Sequence, residues 1–214
     1  MDARLNQQQV RDVYRRFAPT YDLWGSFMES RARRCCLDMA QIKNGEDVLE
    51  VAVGTGVLFE QLLHVNPNGR NEGVDLTPAM LQRARDRLVK SGLTNYVLQA
   101  GDAYHLDYPQ QSFDVLFNNY MFDLIPERDF TRILAGFNRV LRSGGRLALV
   151  NMTRGASWFN SLWDSIYRLR PSLLGGCRAV ELAPYVEAAG FSSICRRQVS
   201  QLGFPSEVIV AVRP

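Results

Sequence analysis

Carboxylate side chains stand near the ends of three successive apolar segments, at Glu50, Asp75 and Asp102. Glu50 begins the loop Glu50-Val51-Ala52-Val53-Gly54-Thr55-Gly56, in which the glycines let the backbone turn tightly and approach a ligand closely. Asp75 follows Gly56 by 19 positions, and a carboxylate about 20 positions after such a loop commonly binds ribose hydroxyls. This spacing predicts a cofactor that contains a nucleoside.

The charge and shape of the loop favour one nucleoside cofactor over another. A dinucleotide-binding loop that starts at Gly54 requires glycine at position 59, where the chain has Phe59, and a start at Ala52 puts Val57 there. The carboxylate of Glu50 repels a pyrophosphate but attracts the ammonium and the sulfonium of S-adenosylmethionine (SAM). The sequence therefore favours SAM over NAD, and an NAD-dependent oxidoreductase is kept as an alternative.

The elements that must hold these residues alternate along the chain from residue 47 onwards. Apolar segments predict strands over 47–52, 72–75, 96–100, 113–117, 146–150, 194–199 and 208–212. Amphipathic stretches predict helices over 57–63, 77–88, 130–141 and 181–189. Thr77 and Pro78 suit a helix start, and Ser143-Gly144-Gly145 suits a helix stop. The alternation predicts an α/β protein with a Rossmann-like, doubly wound, seven-stranded and mostly parallel sheet, whose ligands bind beyond the carboxyl ends of the strands.

The first 45 residues lie outside this alternation. They predict one or two helices, whose apolar face carries Val10, Val13, Tyr14 and Phe17. We therefore expect a single domain over 1–214, in which 1–45 form a helical cap and 46–214 form the cofactor-binding core, since this length suffices for one sizeable core. The cap either packs on the core or folds over the site as a lid.

Composition excludes several classes of protein. A net charge of +3, with Lys and Arg scattered along the chain, does not indicate nucleic-acid binding. The four cysteines contain no C-x-x-C pair, so we expect buried reduced thiols and neither a disulfide framework nor a metal site. No apolar run approaches the roughly 20 residues that span a bilayer, and the charged N-terminus is unlike a secretory signal. These features predict a cytoplasmic protein.

Four motifs resemble those of one enzyme superfamily. VLEVAVGTG resembles the first motif of the class I SAM-dependent methyltransferases, E/D-x-G-x-G-x-G, with Ala52 in the place of the first glycine. EGVDLTPAMLQRAR, GDAYHLDYPQQSFDVLF and RVLRSGGRLALV resemble the second motif, the third motif and the fifth strand with its preceding turn. By the order and spacing of these motifs over 47–150, the chain is identified as a member of this superfamily. Alanine is the smallest replacement for glycine, so we expect a slightly altered turn rather than lost binding.

The resemblance implies which residues bind SAM near the glycine loop. Glu50 would meet the methionyl amine, and the backbone of Ala52, Gly54, Thr55 and Gly56 would line the methionine portion of SAM. The residues themselves also allow a plainer interpretation, in which Glu50 is a solvated strand end.

The resemblance also implies the residues at the nucleoside end. Asp75 would bind the ribose hydroxyls, and Leu76 and Met80 would pack against the adenine. In the segment Gly101-Asp102-Ala103, Asp102 would accept a hydrogen bond from the adenine amino group beside the backbone amide of Ala103. Asn118, at the end of the fourth strand, would line the methionine side. Alternatively, Asp75 marks a helix entry and Asp102 is a plain turn residue.

The N-terminal stretch VRDVYRRFAPTYDLWGSFMES extends the resemblance to two groups of methyltransferases. It resembles the opening of the ubiquinone/menaquinone-biosynthesis C-methyltransferases (UbiE-like, type 11) and that of bacterial phospholipid N-methyltransferases about equally. Tyr21 matches the position that closes over SAM in both groups, and Tyr14 is a second candidate. The implied acceptor is a small or amphipathic molecule, either a quinone-like ring or a phospholipid head-group amine. Basic residues such as Arg31, Arg33 and Arg34 allow contact with a membrane surface.

The chemistry of methyl transfer requires few side chains. Direct displacement from a sulfonium needs alignment in a closed pocket, and a base only where the attacking atom must lose a proton. His105 and Tyr120 are the two candidate catalytic residues, and Asn119 and Asp123 also follow the fourth strand, where they could reach an acceptor. Since no pattern assigns a catalytic role, a non-catalytic SAM-binding protein is a second hypothesis.

Overall fold

A seven-stranded sheet forms the centre of the computed structural model, which describes residues 29–153, 178–201 and 204–214. Its strands along the chain are β1 (Val48–Val51), β2 (Asn71–Asp75), β3 (Tyr96–Ala100), β4 (Phe113–Asn119), β5 (Leu141–Met152), β6 (Ser192–Gln201) and β7 (Phe204–Val212). Their order across the sheet is β3-β2-β1-β4-β5-β7-β6. The first five strands are parallel, and β7 runs antiparallel to both β5 and β6. The predicted α/β, Rossmann-like, mostly parallel seven-stranded sheet is confirmed.

Helices cover both faces of this sheet. They are α1 over 29–40, α2 (Val57–Val65), α3 (Pro78–Lys90), α4 (Phe130–Val140) and α5 (Ala183–Ala188). Because successive strand residues point to opposite faces, Val48 packs in the core under α1, α2 and α3, whereas Leu49 packs in the core under α4 and α5. Within the described ranges, none of the helices is both long enough and apolar enough to traverse a bilayer.

The boundary between α4 and β5 differs from the prediction. Ser143-Gly144-Gly145 was expected to stop the helix, but α4 ends at Val140 and β5 already begins at Leu141, which pairs with Phe113 of β4. The two glycines belong to the strand because their backbone groups bond to Arg213: Gly144 N donates to its carbonyl, and Arg213 N donates to the carbonyl of Gly145. A tertiary pairing to a residue near the C-terminus, invisible in the local pattern, thus overrides the helix-stop signal.

The described part of the N-terminal region packs on the core. Ala32, Cys36 and Ala40 of α1 are buried in the apolar cluster that contains Val48. The carbonyl of Ala40 also accepts a hydrogen bond of 2.8 Å from Arg146 Nε. Of the two expectations for the cap, packing on the core therefore holds for 29–40, whereas residues 1–28, with Tyr14 and Tyr21, lie outside the described residues.

The cysteines differ in exposure. Cys36 is buried under α1, as expected, and Cys35 is half-buried. Cys195 is exposed because it lies on β6, which forms one edge of the sheet. The expectation of buried thiols is thus confirmed for Cys36 and wrong for Cys195, and Cys177 lies outside the described residues.

Gly56, which precedes α2, provides a stability test. Its φ is +79°, and a Cβ built there would lie 3.0 Å from Ala84 Cβ and 3.1 Å from Ala84 Cα. Gly92 has a similar φ of +70° but no described atom within 4 Å of such a Cβ. We expect Gly56→Ala to lower the free energy of unfolding by at least about 1 kcal/mol more than Gly92→Ala, because both add left-handed strain but only the first overpacks. Urea unfolding measures both, and equal losses would contradict this packing argument.

Candidate active site

The loop from β1 to α2 adopts an unusual backbone conformation. Ala52, Gly54 and Gly56 have φ values of +61°, +59° and +79°, so every second residue lies in the left-handed region. A Cβ at Gly54 would meet no described atom within 4 Å, which leaves room for a ligand beside the backbone. Ala52 takes the left-handed conformation that glycine adopts without strain, and this conformation costs an alanine about 1–2 kcal/mol.

Asp75, at the carboxyl end of β2, holds this loop in place. Its Oδ2 accepts a hydrogen bond of 2.8 Å from the backbone N–H of Gly54, and its Oδ1 accepts one of 2.8 Å from that of Thr77. Thr77 is the N-cap residue of α3 and Pro78 begins the helix, as predicted, but the Thr77 side chain makes no capping bond. Burial raises the pKa of Asp75, and the two backbone donors oppose that rise. One carboxylate therefore joins the glycine loop to the start of α3.

A pocket opens beside the loop on the α1 and α2 side of the sheet. The space inside it and at its open mouth amounts to about 470 Å³. Its lining combines carboxylates, a guanidinium, amide and phenol groups with the glycine-loop backbone, from Glu29, Arg33, Glu50, Ala52, Val53, Gly54, Thr55, Val57, Leu58, Asn119 and Tyr120. The structure thus brings together the sequence-predicted Glu50, Ala52, Gly54, Thr55 and Tyr120.

Glu50 places a buried carboxyl group with one unpartnered oxygen in this pocket. Its side chain is only 2% exposed, and its Oε2 accepts no hydrogen bond from the described residues. Burial raises the pKa of Glu50 well above its ordinary value, Arg33 opposes the rise and Asp75 adds to it. A buried carboxylate without a partner costs free energy, so a cationic ligand in the pocket would relieve that cost. The interpretation of Glu50 as a solvated strand end is wrong.

A second pair of charges in the pocket was missed from the sequence. Glu29 and Arg33 are each 6% exposed, and Arg33 Nη1 lies 2.6 Å from Glu29 Oε2. Burial raises the pKa of Glu29 to about 7 although Arg33 opposes the rise. Arg33 was grouped with Arg31 and Arg34 as a possible membrane contact, but only those two are exposed. The i,i+4 spacing of Glu29 and Arg33 was the signal that marked them as a pair.

The end of β4 places two adjacent asparagines on opposite faces. Asn118 Nδ2 donates to the carbonyl of Val51 at 2.8 Å, and Asn118 is not among the residues that line the pocket. Asn119 does line it, and neither atom of its side-chain amide has a hydrogen-bond partner among the described residues. Strand alternation accounts for the difference. The sequence singled out Asn118 for the cofactor and Asn119 for the acceptor, and the structure brings Asn119 to the pocket.

Tyr120 follows Asn119 and closes one side of the pocket. Its φ is +51°, which is rare for an aromatic residue. Its hydroxyl lies 2.8 Å from Ser206 Oγ of β7, and its N–H donates to the carbonyl of Val150 at 2.7 Å. Burial raises the pKa of Tyr120 well above its ordinary value. The hydrogen bond to Ser206 thus holds the phenol in place, and burial favours its neutral form.

The residues expected at the nucleoside end lie at the ends of β2 and β3. Asp102 Oδ1 accepts a hydrogen bond of 3.0 Å from the N–H of Tyr104, which is the pattern of an Asx turn. A Cβ at Gly101 would lie 2.9 Å from Val74 Cβ, so glycine permits the close packing of these strands. Met80 is buried, and the nearby Leu76 and Ala103 are half-buried. Asp102 therefore has the turn role that the plainer interpretation gave it.

Two further candidates lie apart from the pocket lining. His105 is exposed, and its Nε2 lies 2.8 Å from Arg132 Nη2. Asp123 is fully buried, and both of its carboxylate oxygens accept from the N–H of Met152, at 3.2 and 3.1 Å. Of the polar residues considered for the acceptor, the pocket lining therefore includes Asn119 and Tyr120 but neither His105 nor Asp123.

The sheet order and the loop define a class of protein. A glycine loop after β1, tied to a carboxylate at the end of β2, lies beside β4 at the point where the strand order reverses. This is where doubly wound sheets bind nucleoside cofactors. The orphaned oxygen of Glu50 fits a cofactor that carries an ammonium group, as SAM does.

Comparison with known proteins agrees with this class. A family model described as a methyltransferase domain matches residues 48–145. The chain is 30% identical over 169 residues to aklanonic acid methyltransferase DauC of Streptomyces sp. strain C5, which covers 78% of this chain and 76% of that protein. It is 28% identical over 160 residues to the ubiquinone/menaquinone biosynthesis C-methyltransferase UbiE of Saccharophagus degradans, covering 72% and 64%. The chain is also similar to the arsenite methyltransferase of Halobacterium salinarum, but it spans only 39% of the length of that protein.

The chain therefore belongs to the class I SAM-dependent methyltransferases, and its cofactor is SAM. Among solved structures, that of the [4+2]-cyclase SpnF matches with a TM-score of 0.78 at 17% identity, covering 98% of this chain and 96% of that one. At this identity the likeness concerns the fold alone.

Because Glu50 is a buried carboxyl group with an unpartnered oxygen, replacing it with an amide should stabilise the ligand-free protein. The raised pKa of Glu50 means that the unfolded chain loses this proton first as the pH rises above about 4.5, so ionisation of Glu50 opposes folding at higher pH. We expect Glu50→Gln to raise the free energy of unfolding of the ligand-free protein by about 1 kcal/mol or more at pH 8, and by less at pH 5. Glu187→Gln, at an exposed site on α5, is the control. Denaturant unfolding at both pH values measures the effect, which a pH-independent difference would contradict.

The left-handed backbone of Ala52 predicts a second substitution that stabilises the protein. We expect Ala52→Gly to raise the free energy of unfolding by up to about 1 kcal/mol, because glycine adopts its φ of +61° without strain. Ala148→Gly, on buried β5, should instead lower it by about 1 kcal/mol or more through lost packing and added chain entropy. Thermal and urea unfolding of the two variants test the contrast. A similar loss in both would show that the left-handed conformation of Ala52 costs nothing.

Proposed function

We propose that this methyltransferase binds SAM with its methionine end in the pocket at Glu50 and transfers the methyl group to a small, uncharged acceptor that carries a ring hydroxyl or a similar group. The single observation that carries the proposal is the buried carboxylate oxygen of Glu50, which has no partner among the described residues. A methionyl ammonium satisfies that oxygen and leaves a neutral pair in a low-dielectric pocket.

The remaining cofactor contacts follow the loop and the strand ends. The backbone of Ala52, Gly54, Thr55 and Gly56 is proposed to line the methionine portion, since the left-handed residues open space beside it. Asp75 is proposed to bind the ribose hydroxyls with the lone pairs that its two backbone donors leave over. These two roles are compatible, because each carboxylate oxygen accepts more than one hydrogen bond.

The adenine is proposed to lie at the ends of β2 and β3. Leu76 and Met80 supply apolar surface there, and the segment Gly101-Asp102-Ala103 supplies the polar edge. Asp102 Oδ1 already accepts from Tyr104 N, so the Asx turn fixes the carboxylate while Oδ2 faces the adenine amino group. Tyr21 is kept as the proposed lid residue on the basis of the resemblance alone.

The acceptor is proposed to meet Asn119 and Tyr120. The unpartnered Asn119 amide offers one donor group and one acceptor group, which together match a hydroxyl. A phospholipid head group would bring a phosphate, and the described lining offers it no second cation once Arg33 is paired with a carboxylate. These charges favour a neutral ring hydroxyl, as in a quinol, over a phospholipid amine. The similarity to UbiE, a C-methyltransferase of ubiquinone/menaquinone biosynthesis, supports this choice.

The transfer itself is proposed to depend on alignment rather than on a strong base. When bound, SAM supplies an electrophilic methyl group on its sulfonium. The glycine loop and Glu50 orient the donor, Asn119 orients the acceptor oxygen, and the fixed phenol of Tyr120 helps to keep water out during the transfer. The proton that the acceptor loses on methylation is released to solvent when the product leaves. The exposed His105 takes no part in this scheme.

The acceptor test uses SAM labelled on its methyl group. We expect label to pass to a reduced naphthoquinol or a polyhydroxylated aromatic and not to vesicles of phosphatidylethanolamine. Asn119→Ala should lower kcat/KM for the acceptor by roughly tenfold or more while changing the affinity for S-adenosylhomocysteine (SAH) by less than about twofold, because it removes hydrogen bonds to the acceptor alone. Asn138→Ala, at a half-buried amide of α4 that bonds to Ala189, is the matched control.

Two results would overturn parts of this proposal. Label on phosphatidylethanolamine would replace the ring hydroxyl by a head-group amine. Tight SAH binding with no labelled product from any acceptor, or from fractions of cell extract, would favour the non-catalytic SAM-binding hypothesis.

A further inference from the structure

Arg33 brings a positive charge to the same pocket as Glu50. Both residues line the pocket, and both are buried. The charge of Arg33 opposes the rise in the pKa of Glu50, so the two side chains lie within electrostatic reach of each other. A buried pocket with a carboxylate and a guanidinium on its walls is complementary to a zwitterion. The methionine end of SAM is a zwitterion, because its α-carbon carries both an ammonium and a carboxylate.

We propose that the Arg33 guanidinium binds the α-carboxylate of the cofactor and that Glu29 occupies this position on Arg33 in the ligand-free protein. This inference rests on the proposed placement of the methionine end at Glu50. A guanidinium presents its donors in a planar fork that matches a carboxylate, which a compact ammonium does not. Glu29 would then be a built-in stand-in for the ligand, since its side chain ends in the same group.

The geometry of the Glu29–Arg33 pair supports an exchange of partners. The two residues are one helical turn apart on α1, and the contact between Nη1 and Oε2 is 2.6 Å. Both side chains line the pocket, so the pair lies at the surface that a ligand touches rather than beneath it. Replacing one carboxylate by another keeps the guanidinium charge compensated. Burial raises the pKa of Glu29 to about 7 even while Arg33 is its partner. Uptake of a proton near neutral pH would therefore lower the cost of its release from Arg33.

A purely structural ion pair is the alternative, and ligands that differ only in the amino-acid moiety separate the two. SAH carries both the ammonium and the carboxylate, decarboxylated SAH keeps only the ammonium, and 5′-methylthioadenosine has neither. We expect Arg33→Met to weaken SAH binding by roughly tenfold or more, while the Kd of decarboxylated SAH and of methylthioadenosine changes by less than about twofold. Arg33→Lys should recover only part of the loss, because an ammonium lacks the fork.

Glu50→Gln provides the complementary pattern. This substitution should weaken the binding of SAH and of decarboxylated SAH alike, since both carry the ammonium. It should leave the Kd of methylthioadenosine unchanged. Glu29→Gln should act in the opposite direction to Arg33→Met: removal of the competing carboxylate is expected to tighten SAH binding by about threefold or more and to leave decarboxylated SAH unchanged.

Isothermal titration calorimetry of the full chain measures these affinities. Equal weakening of all three ligands by Arg33→Met would overturn this inference alone, as would a Glu29→Gln variant that binds SAH no more tightly than the parent chain. If the parent chain binds methylthioadenosine and SAH equally, the placement of the methionine end at Glu50 fails, and this inference fails with it. Because Arg33→Lys and Glu29→Gln keep a polar group of similar size in the pocket, they test the exchange even if Arg33→Met does not fold.

Discussion

The two hydrogen bonds accepted by Asp75 are the constraint on which the rest of the site depends. They join the N–H of Gly54, in the loop after β1, to the N–H of Thr77, at the start of α3. Because the loop passes through the left-handed region three times, its backbone needs an external partner to keep one conformation. Under the proposed function the same carboxylate fixes the loop and binds the ribose hydroxyls, so a substitution of Asp75 would change the loop conformation and the cofactor contact together.

The pocket concentrates charge where the fold would otherwise be apolar. Phe59 and Leu62 of α2 are fully buried in the core beneath the same loop, whereas the nearby Glu50, Glu29 and Arg33 are buried charges at its edge. Glu29 and Arg33 compensate each other, whereas the unpartnered oxygen of Glu50 lowers the stability of the ligand-free state until a cationic ligand binds. Glu50 thus lowers stability at the place where it could bind a ligand, which is the usual balance between stability and function in an enzyme site.

The sequence contained much of the fold and part of the site. Strong apolar segments, such as 48–51 and 96–100, made the sheet predictable, and the spacing from Gly56 to Asp75 made the loop predictable. The start of β5 was not predictable from the local sequence, because Gly144 and Gly145 bond to Arg213, which lies far away along the chain. The pocket side of β4 and the burial of Arg33 depend on strand phase and on the packing of α1, which no local motif encodes.

The contact between Tyr120 and Ser206 gives strand β7 a part in the site. Ser206 lies on β7, 86 positions after Tyr120, and the hydroxyl groups of the two residues meet at 2.8 Å. The wall of the pocket at β4 is thus finished by a strand that shares no residue with the glycine loop. Under the proposed function Tyr120 borders the acceptor, so a substitution of Ser206 alone would alter the choice of acceptor and leave the residues proposed for the methyl donor unchanged.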